Sequence, residues 1–153
     1  MTNHGRAQPD TPGGYSLTEL VIVLACATVF LTAALPGMVR LQKEWALWGD
    51  ARMLEASLQW GRMHAISSNT PILFEVDGSR RKFYWVDPES RDPYAGSIRH
   101  LSGRIRITAS PRRPLRFYQR GNAAPAGTYT IEGEAGSYSV VVSPGGRIRL
   151  QRN

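Results

Sequence analysis

The chain has 153 residues, 42% of them hydrophobic, with a formal net charge of +7 and a pI near 10.2. That length fits one compact domain plus a terminal segment, and that composition supplies a real core. Its single cysteine, Cys26, excludes an intrachain disulfide and any cysteine-built zinc site, and His4, His64 and His100 show no ligand spacing.

The basic excess is almost wholly arginine, since Lys43 and Lys82 are the only lysines. Guanidinium groups fork onto carboxylates and phosphates. The charge therefore points to nucleic acid, anionic headgroups or acidic protein surfaces as partners, or to a solvated basic face.

Residues 1–14 are rich in proline and glycine and carry Arg6 and Asp10. From Tyr15 to Leu35 the only ionisable groups that matter are Glu19 and the thiol of Cys26, in an otherwise largely apolar run. As a helix this stretch covers about 30 Å, the thickness of a bilayer core. Pro36-Gly37 marks a kink or break at its far end.

Several readings fit an apolar N-terminal run. A secretory signal peptide needs a basic flank directly before the run and a clean apolar stretch, and Glu19 interrupts that stretch. Val23-Leu24-Ala25-Cys26 loosely matches a lipobox, but the run continues well beyond Cys26. A plain membrane anchor with an interfacial glutamate is the third.

The fourth rests on Gly13-Gly14-Tyr15-Ser16-Leu17-Thr18-Glu19 followed by the apolar helix. This resembles the class III leader of type IV pilins and type II secretion pseudopilins. The resemblance implies that a prepilin peptidase cuts after Gly14, removing residues 1–14, and that the new terminus at Tyr15 is N-methylated. It implies that Glu19, fifth from that terminus, neutralises the terminal amine of a neighbouring subunit during assembly. Pro36, twenty-second counted from Tyr15, holds a place where the family has proline. A carboxylate in lipid costs on the order of 3 kcal/mol, so it persists only where something pairs with it.

After Pro36 a helical period resumes through Leu41, Trp45, Trp48, Ala51, Leu54, Leu58, Gly61 and Ala65. Arg40, Lys43, Glu44, Asp50 and Arg52 fall off that stripe. The pattern predicts an amphipathic helix over 37–69 with its tryptophans in the core, ending near Ser68-Asn69 because Pro71 disfavours helix at Thr70.

Strand grammar follows over 70–153. Ile72 to Val76 and Arg81 to Val86 flank Asp77-Gly78-Ser79 as a hairpin. Asp87 to Gly96 reads as a polar loop, in which Asp87 and Glu89 form a solvated turn rather than a catalytic pair. Ser97 to Thr108 reads as one or two strands, Leu115 to Gln119 as another, and Gly121 to Gly127 as a loop. Thr128 to Ile131 and Tyr138 to Val142 flank a five-residue connection. Pro144-Gly145-Gly146 turns the chain into Arg147 to Gln151. The expected class is α+β: a long N-terminal helix, membrane half (15–36) then amphipathic half, packed on an antiparallel sheet domain.

Within the pilin-like families this layout resembles the GspH/FimT minor pseudopilins. "ARMLEASLQWGRMHAISSNTPILFEV" is similar to their helix-to-first-strand passage, and "LRFYQRG" and "PGGRIRL" to their last strands. The resemblance implies an assembly subunit of a type II secretion pseudopilus or type IV pilus, not an enzyme. It implies no cofactor, an inner-membrane position with the β domain outside, and partnership with other pseudopilins and an inner-membrane platform. A membrane-anchored hydrolase would need a catalytic pocket for which no motif argues.

Between Asp92 and Glu132 the chain has no acidic residue but carries Arg99, Arg104, Arg106, Arg112, Arg113, Arg116 and Arg120. "GRIRI" at Gly103 to Ile107 recurs as "GRIRL" at Gly146 to Leu150. In a strand, Arg104 and Arg106 share one face, as do Arg147 and Arg149, opposite buried isoleucine and leucine. Three readings stand: an edge kept soluble by charge; contact with acidic neighbours or headgroups; and DNA. The last follows from likeness to FimT-type pilins implicated in DNA uptake through a C-terminal Gly-Arg-x-Arg segment, matched here at Gly146 to Arg149 with Arg152 just beyond.

Overall fold

The computed structural model describes residue 14 and residues 16–153. Tyr15 and the leader residues ahead of Gly14 lie outside the described residues. The chain divides into two compact units, one ending at Met38 and the other running from Val39 to Asn153. One α-helix, α1, spans Leu17–Ser67 and stays helical through Pro36 and Gly37.

In the first unit, beyond Glu19, the described residues of α1 are mostly apolar on every side. Leu20, Val21, Ile22, Val23 and Leu24 all stand exposed. The hydroxyls that interrupt this surface are satisfied within the helix: Thr28 Oγ1 donates to the Leu24 carbonyl at 2.8 Å and Thr32 Oγ1 to the Val29 carbonyl at 2.9 Å. The helix is long and apolar enough to cross a membrane.

In the second unit, α1 packs on two antiparallel sheets. Nine strands follow the helix: β1 (Ile72–Val76), β2 (Lys82–Val86), β3 (Arg99–His100), β4 (Arg106–Ala109), β5 (Leu115–Phe117), β6 (Ala123–Ala124), β7 (Gly127–Gly133), β8 (Gly136–Val142) and β9 (Ile148–Arg152). One sheet has the order β3-β2-β1-β5-β6, the other β4-β7-β8-β9. The α+β, pilin-like architecture expected from the sequence is the one observed.

The core forms where these layers meet. Leu47, Ala51, Leu54, Leu58 and Ala65 from α1 pack with Phe74, Phe83, Trp85, Phe117, Tyr129, Ile131 and Val140. Phe74 lies at its centre, its ring centroid 5.0 Å from Trp85, 5.3 Å from Tyr129 and 5.5 Å from Phe83. Such offset and edge contacts add stability beyond the area they bury. The Trp85 indole donates to Ser57 Oγ at 3.0 Å, so its one polar atom is satisfied. Gly61 makes room for that ring: a Cβ there would stand 2.2 Å from it.

Several expectations need correction. Trp45, Trp48 and Trp60 are exposed, not core; the buried line on α1 passes instead through Leu47 and Asp50. Asp50 is buried because its carboxylate accepts the Ser102 backbone N–H at 2.7 Å and the Ser102 hydroxyl at 3.1 Å. The segment Gly121 to Gly127 is not all loop, since β6 pairs with β5 there. The β7–β8 connection is shorter than five residues, because pairing continues to Gly133 and Gly136.

Candidate functional site

Ser16 and Glu19 shape the head of α1. The Glu19 backbone N–H donates to Ser16 Oγ at 3.2 Å, which makes Ser16 the N-cap and puts Glu19 in the first turn. Ser16-Leu17-Thr18-Glu19 has the spacing of a capping box. That signal is legible in the sequence, inside the same seven residues that carry the leader motif. An acid in a first turn also lies in the favourable field of the helix N-terminus. Glu19 and Gly14 are both exposed. The cleavage and methylation expected at Tyr15 fall on a residue outside those described.

The two arginine repeats part company in the second unit. β4 and β9 are the opposite edges of the four-stranded sheet. Three strand spacings, about 14 Å, separate them. Arg104 does not lie in a strand at all but in the turn before β4. Its guanidinium meets Glu134 at 3.2 Å, and Lys43 meets the same carboxylate at 2.6 Å. Lys43 first, and Arg104 after it, hold Glu134 below the usual carboxylate range. Arg106 stands opposite Glu132 in the register. Both members of the first repeat are therefore placed among acids.

The second repeat differs. Arg147 and Arg149 are exposed, and no carboxylate pairs with them among the described residues. Arg149 lies opposite Val141 on the outer face of the sheet, while Ile148 and Leu150 turn inward against the core. Arg152 has the parity of Ile148 and Leu150, so it does not join the other two. It lines an open cleft of about 280 Å³ with Glu44, Trp45, Leu47, Trp48, Ala135 and Tyr138. Gly146, the glycine of this repeat, has φ +77°, and a Cβ there would stand 1.8 Å from the Gly121 carbonyl oxygen. Arg62 Nε donates to that same oxygen at 3.0 Å. The Gly-Arg-x-Arg turn is thereby seated on the Arg120–Asn122 loop of the other sheet.

Asp87 accepts the backbone N–H groups of Ser90 and Glu89 at 3.0 and 2.8 Å, and these bonds, that from Ser90 foremost, hold its carboxyl below the usual range. It is a loop cap, as its proline-rich setting implied. Among the described residues no group of three or more His, Cys, Asp or Glu side chains is placed to hold a metal ion.

A family model described as type II transport protein GspH matches residues 50–146. No curated protein matches the sequence. Among solved structures, the type IV minor pilin FimU of Pseudomonas aeruginosa (strain PAO1) superposes with a TM-score of 0.61 at 20% identity, over 72% of this chain and 92% of that one. The minor pseudopilin EpsH from the type 2 secretion system of Vibrio cholerae superposes with a TM-score of 0.56 at 14% identity, over 69% of this chain and 96% of that one. Those likenesses are of fold.

Proposed function

The chain belongs to the family of the type II transport protein GspH, and from that premise we propose that it is a minor pseudopilin, a structural subunit that helps to start or cap a secretion pseudopilus or a type IV pilus. The observation that carries the reading is a capped apolar helix with Glu19 in its first turn, joined to a GspH-type head. The head supplies a surface, and the helix supplies an anchor.

In this reading the prepilin peptidase removes residues 1–14 and frees the amine of Tyr15, which is then methylated. The anchor holds the subunit in the inner membrane with the head outside. Glu19, unpaired in lipid, is a penalty; beside the cationic terminus of a neighbouring subunit it becomes a favourable ion pair that sets the axial register. Extrusion is driven by an ATPase and platform elsewhere. Glu19→Ala tests this. Incorporation into the filament should fail while membrane insertion is kept or improved; a Glu19→Ala subunit that assembles normally removes the idea. Intact mass of native material should lack residues 1–14.

A second reading, DNA binding during uptake, is favoured by one observation: Arg147 and Arg149 are exposed without a paired acid, on the outer face of an edge strand. Such contacts would be to phosphates and indifferent to base sequence. The double variant Arg147→Gln with Arg149→Gln should flatten the log–log salt dependence of duplex binding by about 0.9 for each phosphate no longer neutralised. An unchanged slope sinks this second reading.

A further inference from the structure

Each sheet edge in the head is closed to pairing except one. β3 and β6 are two residues long. β4 is bulged between Ile107 and Ala109, and the Ile107 N–H is taken by the Arg80 carbonyl at 2.9 Å. Short, bulged or covered edges are how proteins stop a sheet from adding strands. β9 has neither device: five residues pair with β8 in unbroken register.

The hydrogen-bond phase of β9 follows from its two ends. The Ser143 N–H donates to the Arg147 carbonyl at 2.9 Å, and the Asn153 N–H to the Ser137 carbonyl at 3.2 Å. Antiparallel pairs alternate between bonded and non-bonded types. Arg147, Arg149, Gln151 and Asn153 therefore turn their backbone groups toward β8. Ile148, Leu150 and Arg152 turn theirs away from the sheet, and none of these N–H groups has an acceptor among the described residues. The edge presents a ladder of three unmet donors.

Side chains beside that ladder have a pattern too. On the outer face stand Arg147 and Arg149. On the inner face Ile148 and Leu150 are only partly buried. At the β9 end, the cleft of about 280 Å³ is lined by Trp45, Trp48, Leu47 and Tyr138 together with the charged Glu44 and Arg152. Trp45 is 63% exposed and Trp48 42%. Charges alone would serve to blunt an edge; they do not require an uncovered pair of tryptophans beneath it.

We infer that β9 is a docking edge for an extended segment of a neighbouring filament subunit, which adds as a tenth strand. Its outward side chains are acidic and meet Arg147 and Arg149; its inward side chains are apolar and fill the Trp45–Trp48 cleft. Backbone bonds to Ile148, Leu150 and Arg152 give affinity, and the alternation gives specificity. The identity of the occupant as a filament neighbour rests on the pseudopilin reading, but the edge itself does not.

The test uses the full chain in detergent micelles and a capped nine-residue peptide of alternating valine and glutamate. Amide hydrogen exchange is read at Ile148, Leu150 and Arg152. The peptide should slow exchange at all three, while a peptide of the same composition with its valines and glutamates in separate blocks should not. Arg152→Pro removes one outward N–H without touching a bond to β8 and should weaken binding about tenfold or more. Arg147→Glu with Arg149→Glu should do the same and instead favour a valine–lysine peptide. Equal protection by the block peptide, or protection by neither, overturns the proposal. Protection by duplex DNA alone assigns the face to nucleic acid and overturns it. Protection that grows with protein concentration and no peptide assigns it to a second copy and overturns it too. Glu19→Ala leaves this assay unaffected, so the edge and the assembly mechanism fail separately.

Discussion

Glu134 ties three parts of the head together through one carboxylate. Lys43 comes from α1, Arg104 from the turn before β4, and Glu134 itself from the tip of the β7–β8 hairpin. A carboxyl whose pKa is lowered by folding contributes stability that is present above its unfolded value and is lost as the pH falls through the folded one. Here the loss begins below about pH 4.5. Glu134→Gln should therefore lower Tm modestly at neutral pH and flatten the fall of Tm with acid, the two proteins converging as the carboxyl protonates. The site is open to solvent, so 1 M salt should erase most of the difference between the two proteins. Glu19 has a different logic. In the assembly proposed above its charge acts beside a second subunit, so its substitution is read in assembly rather than in the melting of one chain.

Asp50 shows what periodicity hides. A stripe at three- and four-residue steps identifies the buried side of α1 from Ala51 to Ala65, with Ala51, Leu54, Leu58 and Ala65 buried while Trp60 and Met63, off the stripe, stay exposed. Ahead of Ala51 the stripe is ambiguous. Trp45, Leu47 and Trp48 are all apolar, and only the packed sheets decide that Leu47 goes in and the tryptophans stay out. Trp48 has the Arg52 guanidinium 5.5 Å from its ring, a use of the indole at the surface that no hydropathy pattern foretells. An aspartate in the buried line is legible only once Ser102 is seen to supply two donors. Asp50→Ala strands those donors, and urea titration should show a loss of about 1–3 kcal/mol. Strands are legible where short runs of β-branched and aromatic residues are bounded by turn residues, as in β1 and β2 around Asp77-Gly78-Ser79. The two-residue β6 lies among small residues and is not legible, because its pairing comes from β5 and from the Pro144 carbonyl that accepts the Ala123 N–H. In the second arginine repeat, alternation places each residue inward or outward as the structure has it. It could not tell that one repeat faces acids across the sheet and the other faces none, since that depends on strand order.

Among the described residues, the apolar side chains of the first unit of α1 stand exposed, and within the unit from Val39 to Asn153 the core runs from Leu47 to Leu150. A chain beginning at Val39 should stay monomeric in detergent-free buffer and keep the urea stability of the full chain within about 0.5 kcal/mol, as distant independent sites do. Sedimentation and urea titration check both halves of that statement. The full chain, with Leu20 to Leu24 open to water, should need detergent. The placement of the four tryptophans then has an optical consequence. Trp85 is sealed between α1 and the aromatic cluster, whereas Trp45, Trp48 and Trp60 look outward at separate positions along the helix. Acrylamide should quench three indoles and spare a blue-emitting fourth, so the protein carries its own lamp for unfolding and its own shutter for whatever covers Trp45 and Trp48.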